Sequence, residues 1–176
     1  MFRPFRRAAS RALIDRLSGE IVTAARHPAL FTGYGIADDV DGRFESLALH
    51  AALVLRRLNA MPPPGPQIAQ ELADSIFRSL DAALREKGVG DLSVPRHMKA
   101  FAAAVLGRAR AYDGALGGDP DSLAAALRRN VYAGKRCPER LVRYIRAAAK
   151  ALDAAALEDF LRGKIPFPDP SAVSAQ

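Results

Sequence analysis

Three aspartates, Asp38, Asp39 and Asp41, have the spacing that most resembles a metal site in this chain. If they belonged to the calcium-binding loop of an EF-hand, Asp39, Asp41 and Gly42 would fill positions 3, 5 and 6 of that loop. Positions 1 and 12 of that loop would then be Ala37 and Ala48, which carry no carboxylate. We therefore predict no metal at this cluster and interpret Asp41 as the N-cap of a helix.

A histidine and a cysteine are the other candidates for chemistry. His50 follows Glu45 by five residues, which turns the two side chains apart and differs from the i, i+4 histidine pair of zinc proteases. Cys137 lies beside Lys135 and Arg136 just before a predicted helix, a setting that lowers a thiol pKa. Because no triad and no second cysteine accompany it, we expect no catalytic thiol.

Two glycine pairs, Gly33 with Gly35 and Gly88 with Gly90, each match half of a dinucleotide-binding fingerprint. The third glycine is missing from both pairs, and a helical stretch precedes each of them where the fingerprint needs a strand. We interpret them as turn glycines. No two titratable groups can be brought together as an active site, so the sequence predicts no catalytic residue, no cofactor and no metal.

The elements that must position these residues are helices. Ala, Leu and Arg recur throughout, 49% of the residues are hydrophobic, and runs of β-branched residues are absent. Apolar residues at steps of three and four, bounded by Pro, Gly and Asp, predict helices near residues 13–26, 41–58, 66–87, 93–116, 120–133, 138–152 and 153–162. Residues 29–39 are predicted to form an ordered loop.

This pattern predicts an all-α fold, a single compact helical bundle of six to seven helices that spans residues 1–176. We expect a core over about residues 11–163, a basic N-terminal segment at 1–10 and an extended, proline-rich tail at 164–176 that is mobile at its end. Leu49 and Leu53 make both sides of the second helix apolar, so that helix is either central or covered by a partner.

The lone cysteine gives no sign of an oxidising compartment, and the longest apolar run, from Leu47 to Leu55, is too short to span a membrane. We therefore expect a cytoplasmic protein, with an organelle transit peptide at the basic N-terminus as the alternative. The net charge of +7 favours an anionic partner.

Basic residues recur on one face of the sixth predicted helix at steps of four, three, three and four. That spacing predicts a basic stripe for anionic lipid headgroups or ribosomal RNA. A solvated helix face is the alternative, and the absence of a helix-turn-helix pair argues against specific DNA binding. The stripe consists of Arg136, Arg140, Arg143, Arg146 and Lys150.

Several blocks follow one another in order along the chain: the run from Gly35 to Glu45, Leu49-His50, the run from Leu53 to Leu58, the run from Leu84 to Asp91, Ser93 to Pro95, Arg108 with Ala111 to Asp113, and Asn130 to Tyr132. Over roughly residues 17–167, these blocks together resemble the ubiquinol-cytochrome c chaperone family. Lys87 and the rigid run Pro62 to Pro66 depart from the pattern. The resemblance implies an all-α, non-enzymatic protein at the inner membrane that binds newly made cytochrome b and assists assembly of respiratory complex III. It also implies a small partner subunit and a contact near the ribosomal exit, as in mitochondrial relatives.

For such a client, the sequence offers aromatic residues and the surplus apolar side of the second helix. Covering an emerging membrane segment is favourable at about 25 cal/mol per Å² of apolar surface removed from water. The alternative is that these residues fill the core, and the competing function is a helical adaptor that binds RNA or ribosomes without a membrane client. The predicted client-binding residues are Phe31, Tyr34, Phe44, Leu47, His50, Ala51 and Val54.

Overall fold

The computed structural model describes residues 3–86 and 94–173. In these two ranges the chain forms eight α-helices, a short 3-10 turn and no β-strand. The all-α prediction is confirmed, although the five-residue helix α2 lies in the stretch predicted to be a loop. The helices are α1 (Arg3–Ala25), α2 (Pro28–Thr32), α3 (Val40–Asn59), α4 (Gly65–Glu86), α5 (Val94–Gly117), α6 (Pro120–Asn130), α7 (Glu139–Ala154) and α8 (Leu157–Leu161).

The first helix begins about ten residues earlier than its apolar periodicity predicts. α1 starts at Arg3, so most of the basic segment that we expected outside the bundle is helical. Pro4 is acceptable there because the first turn of a helix needs no N–H donor at that position. Ile14, Leu17 and Ile21 follow at steps of three and four and are almost fully buried. Apolar residues that the sequence assigned to the core are therefore buried, in a helix that begins earlier than predicted.

The third helix is the central element of the bundle, and it packs against α1, α4, α5 and α7. Leu49 and Leu53, the residues that made both of its sides apolar, are 0% and 1% exposed. Full burial of one such side chain stabilises the fold by about 1.5–3 kcal/mol. The excess apolar surface of this helix is thus used mainly in the core.

The start of α3 differs by two residues from the prediction. Asp39, not Asp41, is the N-cap, and its Oδ1 accepts a hydrogen bond of 2.8 Å from the Gly42 amide. A Cβ at Gly42 would collide with the carbonyl oxygen of Ala37, so this position requires glycine. The aspartate cluster therefore begins a helix, as its N-cap interpretation implies, with the cap one aspartate earlier.

The predicted helix ends and the C-terminal tail complete the description of the bundle. The end predicted at Gly88 lies outside the described residues. Gly163, with φ of +73°, ends α8 as predicted, and its amide donates a hydrogen bond of 2.8 Å to the Phe160 carbonyl. The tail that follows is mostly non-helical but is packed on the bundle, since Ile165 and Pro170 are buried. The end of this tail, where mobility was predicted, lies beyond Val173 and outside the described residues.

Candidate functional site

An apolar groove lies between α3, α4 and α5. The groove is small, with a volume of about 10 Å³, and its lining exposes only apolar surface. Ala48 and Ala51 form part of its floor because they are 2% and 1% exposed, whereas Leu47 is half-buried at its wall. The lining residues are Leu47, Ala48, Ala51, Leu55, Ala73, Ile76, Phe77 and Val105.

The apolar character continues along α3 towards its N-terminus. Val40, Phe44 and Leu47 follow at steps of four and three, which places them on one face of the helix. Val40 is 66% exposed, and Phe44 is half-buried. This side of α3 therefore forms an apolar path that runs from Val40 through Phe44 to Leu47 at the groove.

An ion pair fixes α5 against α3 beside this path. The Arg108 guanidinium makes two hydrogen bonds to the Glu45 carboxylate, which is 8% exposed. The same guanidinium lies 5.2 Å from the centre of the Phe44 ring. The bonds to Glu45 raise the pKa of Arg108 above its ordinary value, so the guanidinium stays charged. A buried carboxylate left without its arginine would be strongly unfavourable, and the pair therefore favours one arrangement of α3 and α5.

His50 lies in the core and not at a partner surface. Its Nδ1 is 2.7 Å from the Ser46 carbonyl oxygen, and its Nε2 is 2.9 Å from the Tyr144 hydroxyl. Because a carbonyl oxygen only accepts, Nδ1 carries the proton and Nε2 accepts from Tyr144. Burial lowers the pKa of His50 to about 4. The imidazole is therefore neutral at physiological pH and has both ring nitrogens paired.

Tyr34 connects the C-terminal tail to the same region. Its hydroxyl donates a hydrogen bond of 2.7 Å to the Pro170 carbonyl, and its own carbonyl accepts one of 2.7 Å from the Tyr132 hydroxyl. Arg140 lies over the Tyr34 ring at 4.5 Å and donates from Nε to the Val173 carbonyl at 2.9 Å. Phe167 contacts the His50 ring edge-on at 5.2 Å between ring centres. Core side chains thus hold the tail against the bundle.

These contacts place part of the predicted client-binding set in the core. Tyr34, His50 and Val54 are 0–1% exposed and Ala51 is equally buried at 1%, so they present almost no surface in this conformation, and their client contact stays a prediction. They were assigned from residue type and from their place in the predicted loop or on the second helix, which does not show which side chains the neighbouring helices cover. Phe31 is half-buried against the core on α2 and does not line the groove. Client contact by Phe31, Phe44, Leu47 and Ala51 stays a prediction.

The groove also contains residues that the sequence reasoning did not assign to a site. They are Ile76 and Phe77 of α4 and Val105 of α5. Their neighbours Ala48 and Ala73 are small, which leaves room between the helices. The sequence does show alanines on one helix and large apolar residues on another. This pattern predicts a groove only when it is known which helices pack against each other.

The basic stripe is also only partly as predicted. Arg136, Arg146 and Lys150 are exposed, and Arg143 keeps 41% of its side chain exposed at 3.6 Å from Glu139. Arg140 is engaged with Tyr34 and the tail, which removes it from the predicted stripe. Its sequence spacing matched the stripe because helical periodicity does not reveal what a neighbouring segment covers.

The expectation for Cys137 is wrong in sign. Burial raises the pKa of this thiol to about 11, despite the neighbouring Lys135 and Arg136. Within the ranges that the structure covers, no three His, Cys, Asp or Glu side chains converge as metal ligands. None of the described helices is long and apolar enough to cross a membrane.

Comparisons with known proteins support the all-α fold and the family resemblance seen in the sequence. The Cbp3 homolog from Brucella abortus, a crystal structure, superposes with a TM-score of 0.87 at 36% identity and covers 97% of each chain. Protein CBP3, mitochondrial, from Saccharomyces cerevisiae is 29% identical over 135 residues. That match covers 72% of this chain and 40% of the yeast protein, so this chain spans less than half the length of its yeast relative.

A family comparison matches most of the chain. The model of the family described as "Ubiquinol-cytochrome C chaperone" matches residues 32–167, which include α3 to α8 and the contact of Phe167 with His50. The matched range contains every residue of the groove and of the pair Glu45 with Arg108. The chain belongs to the ubiquinol-cytochrome C chaperone family.

Proposed function

We propose that this protein is an assembly chaperone of the ubiquinol-cytochrome c reductase complex and that it binds newly made cytochrome b. Family membership supports the assembly role and a non-enzymatic mode of action. The observation that carries the client assignment is the apolar surface of α3, which runs from exposed Val40 through Phe44 and Leu47 to the small groove between α3, α4 and α5.

The lining of the groove favours a helical client segment. Because the exposed lining is apolar, it supplies no hydrogen-bond partner to a client backbone. A segment that satisfies its own backbone N–H and C=O groups, as a helix does, enters such a surface without unpaired polar groups. A membrane helix before insertion is apolar and self-satisfied in this way. Phe44, Leu47 and Ala51 are the predicted client-binding residues that remain on this path.

We propose that the protein acts at the inner membrane as a peripheral protein, on the cytoplasmic side in a bacterium or the matrix side in a mitochondrion. The client supports this location, since cytochrome b must reach the bilayer. A small partner subunit is part of the proposal by resemblance alone. Contact with the ribosome would let the protein capture its client during synthesis. The basic side chains of α7 would bind the anionic ribosomal RNA.

Site-specific photo-crosslinking tests the client assignment. A photoreactive phenylalanine at Leu47 should crosslink to pulse-labelled cytochrome b in cells that depend on the variant. The same residue at Leu161, an apolar side chain of α8 that is 45% exposed, is the matched control off the groove. We expect a crosslink from position 47 that exceeds the control at least about tenfold, and equal yields would contradict the groove assignment.

A functional readout accompanies the crosslink. Val40→Glu combined with Leu47→Glu places two charges on the apolar path and should lower the dithionite-reduced spectrum of cytochrome b in membranes. Circular dichroism of the purified variant establishes that its helices are intact.

The competing function is a helical adaptor that binds RNA or ribosomes without a membrane client. The observation in its favour is the cluster of basic residues on α6 and α7. It predicts that RNA is recovered with the protein, that recovery falls steeply with salt, and that cytochrome b levels are unchanged when the gene is deleted. Loss of cytochrome b upon deletion would exclude it.

A further inference from the structure

The positive charge of the protein is concentrated in one segment. Residues 128–150 contain eight of the 26 basic residues and one of the 19 acidic residues. The rest of the chain therefore carries eighteen of each and is neutral at pH 7. The net charge of +7 belongs to the end of α6, the turn after it and most of α7.

The structure places these cations on the outside. Arg128 and Arg129 are exposed at the end of α6, and Lys135 and Arg136 are exposed in the turn. On α7 the inward side is fully occupied, because Leu141, Tyr144, Ile145, Ala148, Ala149 and Leu152 are buried.

The cations of α7 form a row. Arg143, Arg146 and Lys150 follow at steps of three and four on the outward side, along roughly 10 Å of helix at 1.5 Å per residue. The only acidic residue of the segment, Glu139, is 87% exposed and 3.6 Å from Arg143. An exposed ion pair of this kind is weak.

We propose that this surface, the exposed cations at 128, 129, 135, 136, 143, 146 and 150, binds the headgroups of an anionic membrane. The inference deepens the proposed function by naming the surface that would face the bilayer. A cluster of basic residues next to an anionic leaflet is attracted by its surface potential, and the attraction grows with each added charge.

Lipid headgroups fit this surface better than nucleic acid. Proteins that bind single-stranded nucleic acid combine cations with exposed aromatic side chains on which bases stack. The aromatic residues of the segment, Tyr132 and Tyr144, are 9% and 0% exposed, so they offer no stacking face. Ala147 is exposed between the cations of α7, and no large apolar side chain of the segment is exposed. Binding should therefore be electrostatic, without insertion, and reversible by salt.

The membrane surface and the groove do not share a residue. The groove is lined by α3, α4 and α5, whereas the cations lie on α6, α7 and their turn. A client on the groove would leave the basic surface uncovered. The two proposals can therefore fail separately, and vesicles without client test this one alone.

Vesicle flotation with the purified protein is the test. We expect flotation with vesicles of phosphatidylcholine and phosphatidylglycerol, little with phosphatidylcholine alone, and release at high salt. Arg143→Glu, Arg146→Glu and Lys150→Glu together should weaken binding to the anionic vesicles at least about tenfold, because each basic residue near the surface contributes about fivefold.

The matched control has the same net charge. Arg26→Glu, Arg78→Glu and Arg110→Glu reverse three exposed arginines on other elements. We expect this control to bind the anionic vesicles within about threefold of the wild type. Equal loss in both triple variants would overturn the surface assignment, and so would equal binding to neutral and anionic vesicles. Tighter binding to RNA than to vesicles, lost with Arg143, Arg146 and Lys150, would assign the surface to nucleic acid instead.

Discussion

Replacing His50 by glutamine should remove much of the acid sensitivity of the fold. The imidazole is 1% exposed, and burial lowers its pKa from 6.5 to about 4. As the pH falls, His50 takes up a proton in the unfolded chain at a higher pH than in the folded chain. The stability that neutral His50 contributes is therefore complete above about pH 6.5 and is lost as the pH falls towards 4. Between pH 7 and pH 5 the loss amounts to about 2 kcal/mol.

Urea unfolding at pH 5, 6 and 7 measures this loss. His50→Gln should be less stable than the wild type at pH 7, because the bonds to Ser46 and Tyr144 are disturbed. Its free energy of unfolding should nevertheless fall about 2 kcal/mol less than that of the wild type between pH 7 and pH 5, since glutamine does not titrate.

Tyr144→Phe is the matched control for the His50 variant. It removes the hydroxyl that donates to Nε2 and keeps the buried imidazole. Since burial is the main cause of the low pKa, this variant should keep the pH dependence of the wild type. Parallel pH profiles for the wild type and His50→Gln would refute the reasoning.

The remaining predictions concern the tail and the thiol. Tyr34→Phe removes the hydrogen bond to the Pro170 carbonyl and should lower stability by about 0.5–1.5 kcal/mol, with faster carboxypeptidase trimming of the tail; unchanged trimming would show that this bond does not hold it. Cys137, whose pKa burial raises to about 11, should react with a thiol reagent at pH 8 at least about a hundredfold more slowly in the folded protein than in urea. Equal rates would mean that the thiol is accessible and its pKa ordinary.

The helices were predictable because their signals are local. Apolar residues at steps of three and four located all six long helices, and Gly163 marked the end of α8. Helix starts were less well determined, since Ala and Arg support a helix without contributing to its apolar stripe. For that reason the start of α1 at Arg3 was missed.

The contacts of single side chains were not predictable, since they join residues far apart in the chain. Tyr34 and Pro170 are 136 residues apart, and His50 and Tyr144 are 94 apart. Sequence spacing placed Arg140 in the predicted basic stripe, but the tail returns over it. For the same reason, the sequence assigned Leu47 and Ala51 of α3 to client binding but not the residues of α4 and α5 that line the same groove.

Several residues of the blocks that carry the family resemblance serve the scaffold. Glu45, His50 and Tyr132 belong to these blocks, and each is at most 9% exposed with a hydrogen-bonded partner far away in the chain. Buried polar groups of this kind tolerate little change, because a lost partner leaves the other group unpaired. Val40 lies in the same blocks but is 66% exposed. Packing does not require an apolar side chain there, and the proposed client path gives that side chain a role.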